Sequence, residues 1–224
     1  AWWKWWPEVS KTLNILRITG GEPLMHKSTW RLFEELKENP KPHLNIELNS
    51  NMGVKEKLVK KLVETLKELK SLKAINSFKL YTSIDTWGPR ASYTRTGLDI
   101  GLWERNLDYY LTNTGWPVTF MITFNLFAVT SFNKLLEKIL EWRHKYNSDM
   151  QTKWQRIRFD TPYLRDPIQF DMNILPKEKF MPYMKKHLQM MHDYQDDTDR
   201  TKFSSLEVEK FRRVVDYMEK TQYD

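Results

Sequence analysis

Apolar residues along the chain switch repeatedly between a strand period and a helix period. Leu13, Ile15, Leu16 and Ile18 make a dense run that predicts a buried strand over 13–19. Trp30, Phe33 and Leu36 then recur at helical spacing, with Ser28 as the expected N-cap and Pro40 and Pro42 as the stop. Leu44, Ile46 and Leu48 alternate, which predicts a second strand ending at Asn49-Ser50-Asn51. Leu58, Leu62, Leu66 and Leu69 form one stripe opposite lysines and glutamates, the clearest amphipathic helix of the chain. A third strand is expected from Phe78 to Ile84, ending at Ser83-Ile84-Asp85. A polar loop leads from there to a helix carrying Trp103, Leu107 and Leu111. Val118, Phe120, Ile122 and Phe124 alternate strictly and predict a fourth strand that ends at Asn125. Leu135, Leu136, Ile139 and Leu140 mark a helix, and Ile157 with Phe159 a short fifth strand. Irregular chain is expected over 161–176 and a helix over 177–193, with Pro182 limiting where it starts. Ser204 and Glu207 stand at capping-box spacing before Phe211, Val215 and Met218.

Five strands, each followed by a helix, are the pattern of parallel βα units joined by right-handed crossovers. The expected class is α/β. Periodicity does not separate a barrel from a doubly wound sheet, and in both the ligand sits beyond the C-terminal ends of the strands. Polar residues collect at those ends: Gly20 to Glu22, Asn49 to Asn51, Ser83 to Asp85, Asn125 and Asp160.

Composition narrows the picture only in places. The 224 residues suffice for one well-buried domain, and ten tryptophans argue against disorder. A net charge of +7 allows an anionic partner, but Lys and Arg are spread along the chain, as expected of solvated helix faces. No run approaches the roughly 18 apolar residues of a membrane helix, so no membrane partner is expected. The absence of cysteine excludes disulfides and thiolate-bound metals within these residues. His26, His43, His144, His187 and His192 show no ligand spacing, and Asp196-Asp197-Thr198-Asp199 lacks the glycine and terminal glutamate of a calcium loop. No metal ligand is therefore assigned. Trp2, Trp3, Trp5 and Trp6 are read as packing residues, and Met181, Met184, Met190 and Met191 as core.

The strand ends carry the candidate chemistry. Gly20 and Gly21 expose backbone groups with no Cβ in the way, and Glu22 sets a carboxylate beside them. Such a rim suits an ammonium group, and Pro23 fixes the chain direction without adding a donor. Asn49, Asn51 and Ser83 suit a hydroxyl-rich ligand such as ribose, although Asn and Ser are also ordinary turn residues. Arg95 lies in the loop that also holds Arg90 and Tyr93; an arginine there suits a carboxylate, which it can hold with two parallel bonds, although a plain surface arginine is the other reading.

Gly20-Gly21-Glu22-Pro23, placed between strand and helix, resembles the motif with which radical S-adenosylmethionine (SAM) enzymes hold the SAM amino group. Ser83-Ile84-Asp85 with Arg95 is similar to the SAM-contacting Ser and Arg of the peptide-modifying and sulfatase-maturing branch. Asn125 resembles an asparagine after that branch's next strand, and Ile174-Leu175-Pro176 resembles its late core. The resemblance implies a partial barrel of the (βα)6 type with its first βα unit missing. It implies an incomplete core over 8–180 and a truncated helical segment over 181–224. Gly20, Gly21, Glu22 and Pro23 would meet the amino group, Asn49, Asn51 and Ser83 the ribose or carboxylate, and Arg95 the carboxylate. Asp85 and Asn125 would line the same site.

The resemblance also implies a [4Fe–4S] cluster held by three thiolates, whose ligands this chain does not contain. They would lie upstream of Ala1, so the chain reads as a fragment without a catalytic residue of its own and without activity by itself. In the complete enzyme, SAM would be cleaved reductively to a 5′-deoxyadenosyl radical that takes hydrogen from a peptide or protein substrate. A reductant such as flavodoxin or ferredoxin and a cytoplasmic location are implied with it, and nucleic acid is not an expected partner. Two rivals stay open at this point. One is a non-catalytic basic α/β module that binds nucleic acid. The other is a barrel enzyme using Glu22 and Asp85 as general acid and base.

Overall fold

A computed structural model describes residues 2–147 and 155–221. Five parallel strands form one sheet in sequence order and alternate with helices, an α/β fold. The strands are β1 (Ile15–Ile18), β2 (Lys41–Asn49), β3 (Ile75–Ser83), β4 (Val118–Met121) and β5 (Ile157–Asp160). The helices are α1 (Trp2–Val9), α2 (Lys27–Glu38), α3 (Glu56–Ser71), α4 (Pro89–Thr94), α5 (Ile100–Asn113), α6 (Phe132–Asn147), α7 (Lys177–Asp193) and α8 (Ser205–Lys220). Contacts divide the chain into two compact units, Ala1–Thr82 with Gly101–Val118, and Ser83–Ile100 with Thr119–Asp224.

In the first unit β2 pairs in parallel with both β1 and β3, with Ile46 opposite Leu16 and Phe78, and Leu48 opposite Ile18 and Leu80. Alternation then sorts the side chains by face. Leu44, Ile46, Leu48, Phe78 and Leu80 are fully buried, as are Phe33, Leu36, Leu62, Val63, Leu69, Trp103 and Leu107 from α2, α3 and α5. Each buried aliphatic side chain contributes about 1.5–3 kcal/mol. The opposite face carries Arg17, Glu47, Lys79 and Tyr81. Arg17 grips Glu47 Oε2 at 2.8 and 2.5 Å, while Lys79 Nζ and the Tyr81 hydroxyl each donate to Oε1 at 3.3 Å. Burial pushes the Glu47 carboxyl up, but the hydrogen bonds from Arg17 and Lys79 outweigh it and hold it below its ordinary value.

The second unit is built on aromatic rings. Phe132 stacks on Phe211 at 4.9 Å, and Phe124 meets both edge-on at 5.3 and 5.6 Å. Arg143, fully buried, binds Glu207 Oε1 at 2.6 Å and donates to the carbonyls of Ile157 and Lys202. Glu207 also closes the expected capping box with Ser204. Asp171, equally buried, accepts from the Tyr217 hydroxyl at 2.6 Å and ties α8 to the turn at 172–174.

Several expectations are corrected. The first strand is not buried: β1 is the edge of the sheet with a neighbour on one side only, and Ile15 is 55% exposed. Helix α2 starts at Lys27 with His26 at its N-cap, so Ser28 lies inside the first turn. The polar loop after β3 contains α4, with Pro89 in its first turn. Strand β4 ends at Met121 rather than Asn125, although Phe124 still makes an isolated parallel bridge to Tyr163. Helix α7 runs through Pro182, which sits on its exposed side, so water meets the carbonyl that the missing N–H leaves free.

Candidate cofactor site

In the first unit the chain leaves β1 through Gly20 and Gly21, at φ +94° and +55°. Glycine is the residue that adopts such angles without strain. A Cβ on Gly20 would meet nothing within 4 Å, so the space above this backbone is open. Among the described residues no hydrogen bond reaches the Gly20 or Gly21 carbonyls, which leaves them available as acceptors. Glu22, by contrast, is engaged by its own chain. Its Oε1 accepts from Leu24 N at 3.1 Å and from Ser50 Oγ at 2.9 Å, and its Oε2 from Asn51 N at 2.7 Å. The carboxylate thus clamps the loop after β1 to the end of β2. Pro23, buried, opens the single 3-10 turn Pro23–Met25 that follows.

The end of β2 is held from a second direction. Asn106 of α5 is 1% exposed and donates to the carbonyls of Met52 and Val54, both at 2.8 Å. Those bonds hold Met52 at φ +55°, a strained angle for a side chain of its size. Asn51 spends its Oδ1 on Gly53 N within that turn. Asn49 behaves differently: its Oδ1 is buried and has no partner, an acceptor waiting for a donor.

In the second unit Asp85 and Arg95 lie on a cavity of about 580 Å³, lined also by Tyr93, Thr123, Asn125 and Phe170. Asp85 is 5% exposed, and its Oδ1 accepts from Arg95 Nη2 and from Thr123 N, both at 2.9 Å. The pair neutralises itself, yet Arg95 Nε is buried with no acceptor. Asn125 is consumed by its own turn, donating to Thr123 O and accepting from Phe127 N, both at 3.0 Å. Ser83, half-buried, makes no side-chain hydrogen bond among the described residues. Arg90 binds Thr130 and the carbonyl of Phe127, a tether for α4 rather than a ligand group.

The expected site residues therefore separate by what they have left to give. Gly20, Gly21, Asn49, Ser83 and Arg95 hold unspent polar groups. Glu22, Asn51, Asp85 and Asn125 fix backbone or one another. Sequence reasoning missed the role of Ser50, which bonds Glu22 and accepts from Met52 N at 3.1 Å. It also missed Thr123, Phe127 and Phe170. Ser50 stood inside the polar Asn-Ser-Asn strand end and was legible as a partner for an acid; no sequence period marks the others.

The fold resembles that of a solved radical SAM enzyme. It is similar to the solved structure of anSMEcpe with bound AdoMet and the Kp18Cys peptide, at TM-score 0.51 and 16% identity, over 88% of this chain and 52% of that one. The chain thus spans about half the length of that structure (52%). No family model matches the sequence, and no curated protein does.

Proposed function

We propose that this chain supplies SAM-binding residues of a radical SAM enzyme that acts on a peptide or protein side chain. One observation carries the reading: the buried, unpartnered Nε of Arg95, in a cavity at the end of β3 in a fold of this kind. A guanidinium fixed by Asp85 through one nitrogen presents its remaining donors in a set plane, which suits a carboxylate. The residues present fit SAM. Arg95 would take the carboxylate. In the first unit, taken by itself, the open carbonyls of Gly20 and Gly21, with Glu22 holding their loop in place, are acceptors suited to an ammonium group. In that same unit the buried, unpartnered Asn49 Oδ1 is a further acceptor.

When bound and reduced by one electron, SAM supplies a radical able to take hydrogen from a substrate. The residues of this chain do not fit the iron–sulfur cluster: cysteine is absent, and the described residues contain no cluster of metal-ligating side chains. No step is assigned to a metal here. The peptide substrate is proposed from the likeness to anSMEcpe, whose structure holds a peptide.

Calorimetric titration with SAM tests the reading. Wild-type chain binds, and Arg95→Met weakens binding roughly 10-fold to 100-fold, the worth of a charge-assisted hydrogen-bond pair. No heat from wild type, or equal binding by the variant, overturns it.

A further inference from the structure

The cavity of the second unit has two ends of different chemistry. Its floor holds the Asp85–Arg95 pair, the only charged groups among the described residues that line it. Its mouth is a chain of rings. Tyr93 meets Phe127 edge-on at 5.2 Å, and Phe127 meets Phe170 at 6.1 Å, with Leu164 beside them. Tyr93 is 72% exposed and Phe170 41%, and Ile168, on the same turn as Phe170, is 51% exposed.

We propose that this mouth is a specificity subsite for an uncharged apolar side chain of a peptide substrate. The inference rests on the SAM reading of the cavity floor, which leaves the mouth to the second reactant. A neutral rim offers a charged side chain no counter-ion and would strip its water, so it discriminates against charge. Rings packed against one another, edge-on for Tyr93 and Phe127 and tilted for Phe127 and Phe170, present flat apolar area at low entropic cost, as recognition surfaces do. Ile168, exposed on the same 3-10 turn as Phe170 but outside the lining, adds apolar surface next to the cavity, which suits an occupant longer than the cavity, as a peptide is. The hydroxyl of Thr96, also in the lining, is suited to its main chain, while that of Thr94 donates to the Ala91 carbonyl at 3.1 Å and has only acceptor capacity left.

Fluorescence anisotropy with two labelled peptides tests this, each with saturating SAM. One is Gly-Ser-Phe-Cys-Ser-Gly-Ser, and its match has Asp for Phe. Wild type binds the Phe peptide about tenfold tighter or more, as expected from burying most of one aromatic side chain. Tyr93→Ser with Phe170→Ser brings the two affinities within about twofold of each other. Tyr93→Leu with Phe170→Leu, which keeps the apolar rim, retains the preference. Equal binding of the two peptides by wild type, no binding of either, or a preference that survives the double serine variant overturns the subsite. SAM binding by wild type is measured separately. If it is present without peptide preference, the subsite fails alone; if it is absent, the SAM reading fails whatever the peptides do.

Discussion

Glu22 shows how one side chain serves a loop before it serves a ligand. Three hydrogen bonds from Leu24, Ser50 and Asn51 converge on its carboxylate. Glu22→Gln replaces one acceptor oxygen by an amide donor, which then faces another N–H or hydroxyl. The variant should lose about 1–2 kcal/mol of stability in urea titration, the usual cost of a broken charge-assisted bond. Unchanged stability would mean that the clamp holds nothing. His187 makes a second residue-level case. It is 2% exposed, its Nε2 bonds the Val129 carbonyl at 2.8 Å, and its Nδ1 has no partner. Burial pushes its pKa below the ordinary 6.5, against the opposing effect of the Val129 bond. A base whose folded pKa is lowered binds more protons when unfolded, so stability is kept above pH 6.5 and lost as pH falls from there toward the folded value. Urea midpoints measured from pH 7.5 down to about 5 should fall for wild type and fall less for His187→Leu. Parallel slopes for the two proteins would rule this histidine out as the source.

Among the elements, α8 is fastened by charge as well as by packing. Arg143 is fully buried and pairs with the Glu207 carboxylate at 2.6 Å. Arg143→Met leaves that carboxylate buried without a counter-ion and should cost about 3–5 kcal/mol. Adding Glu207→Gln, which keeps the capping box, should recover part of the loss. Thermal melts of the single and double variants read this directly, and a double variant no more stable than the single one contradicts it. The same helix shows what the sequence made legible. Its capping box was visible because the box needs only Ser204 and Glu207 at fixed spacing, and a local rule reads from local residues. The five strands and their order of alternation with helices were legible for the same reason. Burial of β1 was not: Ile15 to Ile18 has the composition of an interior strand, but exposure depends on how many neighbours a strand has, which its own residues do not encode. Helix α4 was hidden because six residues are too few to show a helical period, and Pro182 misled because burial of Met184, His187 and Met191 keeps α7 helical despite the bond the proline removes.

For the molecule as a whole, the candidate site was legible as a set of strand ends and illegible as a set of roles. Gly20, Asn49, Ser83 and Arg95 were named from their place at strand ends together with the family resemblance, and each keeps an unspent polar group or open space. Which residues would instead be consumed locally depended on hydrogen bonds across the fold, such as Asn106 holding Met52, and no spacing rule anticipates those. The aromatic mouth of the cavity joins α4, the chain before α6 and the turn at 168–170, so it exists only once the chain is folded. No helix among the described residues is long and apolar enough to cross a membrane. Hydrogen exchange with and without SAM tests the central claim most directly. SAM should slow exchange around the Arg95 cavity, at Thr94 to Thr96 and Thr123 to Phe127, with the exposed face of α7 unchanged. Protection confined to other segments, or none at saturating SAM, would contradict the account.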